Sequence, residues 1–121
     1  MRAILLAVLL TAAAMAADLS GTWDGTFATR LPDGHTANDP VHLVLRQEGA
    51  RLTGTGGPSA DRQMPISNGS VSGSAVHFEI ATPDGTFRFD IRLQNDRLQG
   101  DVSRTLNGEP MRARMDAGRS R

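Results

Sequence analysis

Apolar and polar residues alternate along most of the chain after residue 17. The clearest run spans residues 86–93, where Phe87, Phe89, Ile91 and Leu93 alternate with polar side chains. Successive side chains of a β-strand point to opposite faces, so this period places one apolar face against a core. After residue 17 we find no convincing helical period. The sequence therefore predicts an all-β domain.

Gly, Asn, Asp and Pro separate the alternating runs at short intervals, a spacing typical of hairpin connections. The predicted strands are residues 21–30, 41–47, 51–55, 63–67, 75–82, 86–93, 97–104 and 109–116. Residues 70–72 follow an Asn68-Gly69 turn signal, and they either form a short hairpin arm or continue the fourth strand. Eight strands in sequential order can close into an up-and-down antiparallel β-barrel, which removes the unpaired edges of an open sheet.

Polar segments connect these strands. Residues 31–40 and 56–62 are predicted to be loops that form a mouth, and residues 117–121 a frayed polar tail.

A short pattern occurs twice in the chain. Residues 41–54 and 87–100 share the order strand, turn, Arg-Leu-x-Gly, which ends at Gly54 and Gly100. The repeated glycine indicates a position where the sheet coils tightly.

The first sixteen residues have the pattern of a secretory signal peptide. Arg2 is positive, residues 3–13 are apolar, and Ala14-Met15-Ala16 is a small-residue cleavage site. The apolar run is shorter than the ~20 residues of a membrane-spanning helix. We therefore expect residues 1–16 to be a signal peptide, with cleavage after Ala16 or Ala17, and residues 17–121 to be the barrel domain. The expected location is periplasmic or secreted, with no membrane anchor in the mature form.

Composition argues against several classes of protein. Thirteen basic residues, all arginine, balance thirteen acidic ones. Binding to nucleic acid needs a basic stripe, so no nucleic-acid partner is expected. Cysteine is absent, which leaves neither disulfides nor the acylated cysteine of a bacterial lipoprotein. Stability then has to come from the apolar core.

Catalytic and metal-binding motifs are missing from the sequence. His42 and His77 lie on outward strand faces, and His35 lies near Asp33 and Asp39 in a polar segment that favours an ordinary loop over a metal site. The chain has no H-E-x-x-H, no G-x-S-x-G, no phosphate-binding glycine loop and no cysteine nucleophile. We predict no catalytic residue, no metal and no cofactor, and therefore a protein that is not an enzyme.

The only tryptophan begins the first predicted strand, in Gly21-Thr22-Trp23. This motif resembles the G-x-W of lipocalins and their calycin relatives, including small exported bacterial proteins of lipocalin-like type. The resemblance implies a lipocalin-like barrel in which Gly21 and Trp23 close one end. It also implies that an arginine of a late strand, Arg112 or Arg114, packs across the indole. Residues 19–23 and 52–55 also resemble avidin-like barrels, but a chain without tyrosine or a second tryptophan has no counterpart of the biotin site.

The predicted inward face is almost entirely apolar. The inward residues are Trp23, Phe27, Leu43, Leu45, Leu52, Met64, Ile66, Val76, Phe78, Ile80, Phe87, Phe89, Ile91, Leu93, Leu98, Val102, Met111 and Met115. The residues predicted to bind a ligand are Phe27, Leu43, Met64, Phe78, Phe87, Phe89, Met111 and Met115. A dry void of ~300 Å³ would cost about 7 kcal/mol, a large part of the ~5–15 kcal/mol that stabilises a small domain. A filled core is therefore the competing interpretation.

Three hypotheses about function follow. The first is a non-catalytic carrier of a small apolar ligand, bound in the lumen. The second is a protein-binding module such as a periplasmic protease inhibitor, which would insert residues 17–20 into a protease cleft. The third is a ligand-free structural module of the cell envelope, with a filled lumen and an exposed apolar patch near the tail.

Overall fold

The computed structural model describes residues 18–106 and 108–120, with the backbone alone for residues 106 and 109. The predicted signal peptide, its cleavage site and residue 17 lie outside the described residues. The described ranges form β-strands and no helix. The strands are β1 Gly21–Arg30, β2 Thr36–Glu48, β3 Arg51–Ser59, β4 Arg62–Pro65, β5 Ser67–Ser72, β6 Ala75–Thr82, β7 Gly85–Gln94, β8 Arg97–Leu106 and β9 Glu109–Arg119.

Eight of these strands pair in a closed antiparallel circuit. Its order is β1, β2, β3, β5, β6, β7, β8 and β9, and β9 returns to β1. Among the described strands, β4 pairs with β3 alone, beside the circuit, and follows the same edge of β3 as β5. The closing ladder places Trp23 opposite Arg119 and Phe27 opposite Met115. The predicted all-β, up-and-down, eight-stranded antiparallel barrel is confirmed.

Two strands are longer than predicted, so the loops of the predicted mouth are shorter. β2 begins at Thr36 and β3 continues to Ser59, which means that the bounds predicted for loops 31–40 and 56–62 are wrong. Residues 36–40 are polar, yet their main chain pairs with residues 26–30 of β1. Main-chain pairing does not depend on apolar side chains, and hydropathy alone therefore missed this segment.

The Asn68-Gly69 signal marks a bulge rather than a hairpin turn. Asn68 has a positive φ of 52°, and the register of β5 against β6 shifts between Ser67 and Ser70. A Cβ added at Gly69 would lie 2.1 Å from the carbonyl oxygen of Leu52. An Asn-Gly pair allows this left-handed backbone and close approach within a strand as readily as in a turn. Residues 70–72 belong to β5, which is separate from β4 and pairs with both β3 and β6. They therefore form the hairpin with β6 rather than continue the fourth strand.

The repeated glycines lie where neighbouring strands approach closely. Gly54 has a φ of 138°, and a Cβ added to it would lie 2.0 Å from the carbonyl oxygen of Val44. A Cβ at Gly100 would lie 2.5 Å from the carbonyl oxygen of Asp90. Both glycines are therefore required by backbone approach, which agrees with the coiling predicted from the sequence.

The core consists of apolar side chains that point into the barrel. Its buried members are Leu19, Trp23, Val41, Leu43, Leu45, Leu52, Val76, Phe78, Ile80, Phe89, Ile91, Leu98, Val102, Met115 and Ala117. Each predicted inward residue belongs to this core or packs against it, apart from Met111, which borders the cavity described below. The predicted frayed tail is wrong for residues 117–119, because β9 continues to Arg119 and Ala117 is fully buried.

Candidate functional site

The two ends of the barrel differ in how they are filled. The β2–β3, β5–β6 and β7–β8 connections lie at one end, which we call the closed end. The β1–β2, β3–β4, β6–β7 and β8–β9 connections lie at the other end, which we call the open end. Trp23 and its neighbours fill the closed end, whereas a cavity occupies the open end.

The indole of Trp23 is the central residue of the closed end. Its side chain is completely buried, and Nε1 donates a hydrogen bond of 3.0 Å to the carbonyl oxygen of Leu19. The guanidinium of Arg119 lies over the ring, with 4.4 Å from Cζ to the ring centroid. This is a cation–π contact that also shields the ring from water. The lone tryptophan therefore closes this end of the barrel.

The arginine on the indole is Arg119, so the predicted partners Arg112 and Arg114 are wrong. The ladder places Arg119 directly opposite Trp23, whereas Arg114 lies opposite Ala28, roughly 17 Å further along β1. Arg114 instead pairs with Asp101 on the outer surface, at 3.3 Å. Arg119 shares the inward face of Met115 and Ala117 by period-2 alternation. That alternation would have identified it if the tail had been assigned to a strand.

Residues 18–20 cross the closed end and are held there by hydrogen bonds. Arg119 donates to the carbonyl oxygens of Ser20 and Asp18, each at 3.0 Å. The side-chain oxygen Oε1 of Gln47 accepts a hydrogen bond from the main-chain N–H of Leu19. The main-chain N–H of Gln47 donates one to the Ser20 hydroxyl, and each bond is 2.9 Å long. The Ser20 amide donates to the Asp18 carboxylate, and this bond lowers the pKa of Asp18 from its ordinary value. This segment is therefore part of the folded domain.

A cavity of about 530 Å³ occupies the open end. Its inner wall is apolar and comes from seven strands, six of the barrel circuit together with β4. The apolar lining residues are Phe27, Val41, Met64, Ile80, Phe87, Phe89, Val102, Met111 and Ala113. The exposed residues Asp39, Pro40 and Asp84 border it as well, so the cavity opens to solvent. Its volume lies within the range of ~300–1,000 Å³ typical of small-molecule sites.

The residues predicted to bind a ligand divide between the cavity and the packed core. Phe27, Met64, Phe87, Phe89 and Met111 line the cavity. Leu43, Phe78 and Met115 do not line it, because they are at most 1% exposed and pack deeper in the barrel. The ring of Phe89 joins the two regions: it stacks on the ring of Phe78 with centroids 4.3 Å apart and contacts the ring of Phe27 with centroids 5.9 Å apart.

Charged residues surround the mouth of the cavity. Arg62, Arg104 and Arg112 provide three guanidinium groups, and Asp39 and Asp84 provide two carboxylates. Among the described side chains, none of these five takes part in a salt bridge. None of the five was predicted from the sequence to line a cavity, and Arg112 was predicted to pack across Trp23 instead. Their positions at strand ends are too irregular for alternation to predict, with the exception of Arg104.

Arg104 continues the inward alternation of Leu98, Gly100 and Val102 on β8. Its guanidinium lies over the ring of Phe87, with 4.8 Å from Cζ to the ring centroid. Its Nη2 lies 3.8 Å from the sulfur of Met111, which is a weak acceptor. The side chain is half-buried. Among the described residues, no oxygen atom accepts a hydrogen bond from Arg104. Its charged N–H donors therefore remain available at the cavity wall.

The cavity wall is interrupted between β4 and β6. The β5–β6 ladder ends at the Ser67–Glu79 pair, so residues 80–82 have no ladder partner on that side. Pro65 in β4 has no N–H to donate to such a ladder. Met64 and Ile80 line the cavity on either side of this seam. The seam therefore borders the cavity at the side of the barrel.

A second, shallower groove of about 250 Å³ lies on the outer face of β5, β6 and β7. In this groove Ser70 is directly opposite His77, and His77 is directly opposite Asp90. His77 Nδ1 lies 2.8 Å from Asp90, but Nε2 faces the carboxylate of Glu79 at 3.5 Å. A histidine base for a serine nucleophile needs that second nitrogen free for the hydroxyl. Ser70, His77 and Asp90 are therefore not arranged for nucleophilic catalysis.

The remaining histidines lie in local pairs. His42 Nδ1 lies 2.5 Å from Asp24, and this hydrogen bond lowers the pKa of the Asp24 carboxyl from its ordinary value. His35 is 80% exposed and lies 3.0 Å from Asp33. Within residues 18–106 and 108–120, His, Asp and Glu side chains form no group of three that could hold a metal ion.

A scan of the chain against protein-family models and a search of curated proteins both found no match. The antiparallel barrel with eight strands in its circuit is consistent with a calycin-like fold. In the described part of the chain, no helix has the length and apolar character required to cross a membrane.

Proposed function

We propose that this protein is a lipocalin-like carrier that binds a small apolar molecule in the open-end cavity without converting it. The cavity supports this proposal most directly, because its inner wall is apolar and it opens to solvent at one end. Burial of apolar ligand surface contributes roughly 25 cal/mol per Å². The signal-peptide pattern of residues 1–16 adds the proposal that the carrier works in the periplasm or outside the cell.

The position of the cavity explains how a barrel without disulfides can keep it. A void sealed inside the core would cost several kcal/mol because its walls lose packing contacts. Here the void is open to solvent at one end, while the other end is packed around Trp23, Phe78 and Leu43, each fully buried. The packed half provides the stability, and the open half provides the site.

The other two hypotheses fit the fold less well. A protease inhibitor that acts through its N-terminal segment needs that segment free, but Leu19 is 1% exposed and the carbonyl groups of Asp18 and Ser20 are bound to Arg119. A ligand-free module predicts a filled lumen and an apolar patch near the tail. The cavity and the burial of Ala117 favour the carrier over that module.

Replacement of Ala113 by phenylalanine is expected to weaken ligand binding at least about tenfold. Ala113 lines the cavity, so the added ring occupies volume that the ligand needs. A loss of about tenfold corresponds to roughly 1.4 kcal/mol of binding free energy. The measurement is a fluorescence titration of the purified protein with N-phenylnaphthylamine, a neutral apolar probe that becomes bright in apolar surroundings.

The matched control is Ala81→Phe, which adds the same ring at an exposed position on the outer face of β6. This variant is expected to bind the probe like the wild type. Thermal unfolding of both variants checks that each is folded, and saturating probe should raise the Tm of the wild type by mass action. No saturable binding by the wild type, or equal affinity in Ala113→Phe, would contradict the proposed function.

A further inference from the structure

We propose that the ligand is a single-chain amphiphile with an anionic head group, held with its tail inside the barrel and its head against Arg104. This inference rests on the proposed function, because it names the chemical class of molecule for the same cavity. It assigns Arg104 as the residue that determines specificity.

Arg104 is placed to bind an anion rather than to stabilise the fold alone. Its guanidinium lies over the ring of Phe87, with 4.8 Å from Cζ to the ring centroid, and among the described residues no oxygen atom accepts a hydrogen bond from its edge. The edge near Met111 meets only the thioether sulfur, at 3.8 Å. A carboxylate or phosphate can accept two parallel hydrogen bonds from such an edge. The aromatic and sulfur contacts fix the group in position without neutralising it.

The acidic residues of the mouth do not neutralise Arg104. Asp39 and Asp84 border the same cavity, yet among the described side chains neither is in salt-bridge contact with an arginine. Both are exposed, whereas Arg104 is half-buried. Arg62 and Arg112 lie at the mouth too and are exposed like the two acids, so these four charges balance and the half-buried Arg104 leaves a net positive charge. Water screens the exposed acids more than the half-buried guanidinium, which leaves a local field that favours an anion.

The orientation of the ligand follows from where the charges lie. Arg104 is near the end of β8 at the open end, and Val102 is the next inward residue toward the closed end. Beyond Val102 the barrel is filled by apolar residues such as Val76, Ile91 and Leu98. No charged group is buried among the described residues, so a head group placed deeper would be desolvated without a partner. The tail therefore goes in first, and the head stays at the mouth.

Displacement of N-phenylnaphthylamine by four decyl compounds tests this inference. The compounds are decanoate, decyl phosphate, decanol and decyltrimethylammonium, each used below its aggregation concentration. An anion loses more hydration than an alcohol on binding, so a preference for the anion requires a protein group that binds the head. We expect decanoate or decyl phosphate to displace the probe at concentrations at least about tenfold lower than decanol. Whichever anion is stronger identifies a carboxylate or a phosphate head, and decyltrimethylammonium should be the weakest.

Arg104→Gln is expected to remove this preference. The variant should bind decanoate about tenfold more weakly, while decanol and the neutral probe change by less than about twofold. The control is Arg88→Gln, which makes the same change at an exposed position of β7, and it should keep the preference for the anion. The comparison of decanoate with decanol on the wild type needs no variant, so the test holds even if Arg104→Gln fails to fold.

The outcomes separate the two proposals. If the wild type binds neither the probe nor any decyl compound, the proposed function fails, and this inference fails with it. If decanol and the anions bind equally, or if Arg104→Gln keeps the preference, the carrier function stands and the role of Arg104 is overturned. A preference for the anion that is lost in Arg104→Gln but kept in Arg88→Gln supports the inference.

Discussion

Replacement of Trp23 by alanine should lower the free energy of unfolding by about 3–5 kcal/mol. The indole is completely buried at the closed end, so its removal leaves a cavity between the strands that it joins. The variant also leaves the Leu19 carbonyl without the Nε1 donor, and it takes away the ring beneath the Arg119 guanidinium. The loss is a large part of the ~5–15 kcal/mol that stabilises a small domain.

Urea unfolding followed by far-UV circular dichroism measures this change, because the variant has no tryptophan to serve as a fluorescent reporter. The informative control is Phe87→Ala, which removes an aromatic ring from the open end. Phe87 is only half-buried and already borders the cavity, so its loss should cost no more than about half as much. Equal losses at the two ends would contradict the division of the barrel into a packed end and an open end.

Replacement of Gly25 by alanine should destabilise the barrel by about 3 kcal/mol or more. Gly25 lies in β1 opposite Ala117 of β9. A Cβ at this position would lie 1.9 Å from the carbonyl oxygen of Asp116 and 2.5 Å from the Cα of Ala117. Both are backbone atoms, so no rotamer change can relieve the overlap. The two strands have to separate where they close the barrel.

The control for Gly25→Ala is Gly118→Ala in the same pair of strands. A Cβ at Gly118 would lie 2.9 Å from Nη1 of Arg97, which is the flexible tip of a half-exposed side chain. Because that tip can move, Gly118→Ala should change stability by less than about 1 kcal/mol. Thermal and urea unfolding of both variants give the comparison. Similar stability of the two variants would mean that β1 and β9 do not approach as closely as the structure shows.

Alternation was sufficient to predict the barrel and most of its core. Each strand of the closed circuit except β5 carries the period-2 pattern, and inward residues such as Phe78, Phe89 and Leu98 are buried as expected. The burial of Trp23 also follows from the G-x-W motif and its place at the start of β1. These features are local in the sequence, because a strand that buries one face must repeat its apolar residues at every second position.

The extent of the strands was harder to predict. Residues 36–40 and 117–119 are polar or small, and they are strand because a neighbour pairs with their main chain. A ladder of this kind depends on distant residues and leaves no signature in hydropathy. The wrong bound at residue 117 led directly to the wrong partner for Trp23, since Arg119 was left in a tail.

The site could be predicted only in part. Phe27, Met64, Phe87, Phe89 and Met111 follow from alternation, because an inward residue near the open end lines the cavity. Three-dimensional packing decides which inward residues fill the core and which border a void. The buried residues Leu43, Phe78 and Met115 could therefore not be distinguished from the cavity residues by sequence. Arg104 continues the inward alternation of β8. It was left out of the prediction because only apolar residues were assigned to the inward face.

The central claim is that β1 closes on β9 in a single register, which seals the barrel around Trp23. The most direct test is disulfide formation in Thr26→Cys/Asp116→Cys, since these residues are directly opposite and the chain has no cysteine of its own. Opposite residues lie about 4.5–5.5 Å apart, within reach of a disulfide, whereas a shift of two residues gives about 7–8 Å. We predict that oxidation of the folded protein links this pair and leaves Thr26→Cys/Arg114→Cys unlinked by mass spectrometry. Absence of the first disulfide, or equal formation of both, would contradict the closed barrel.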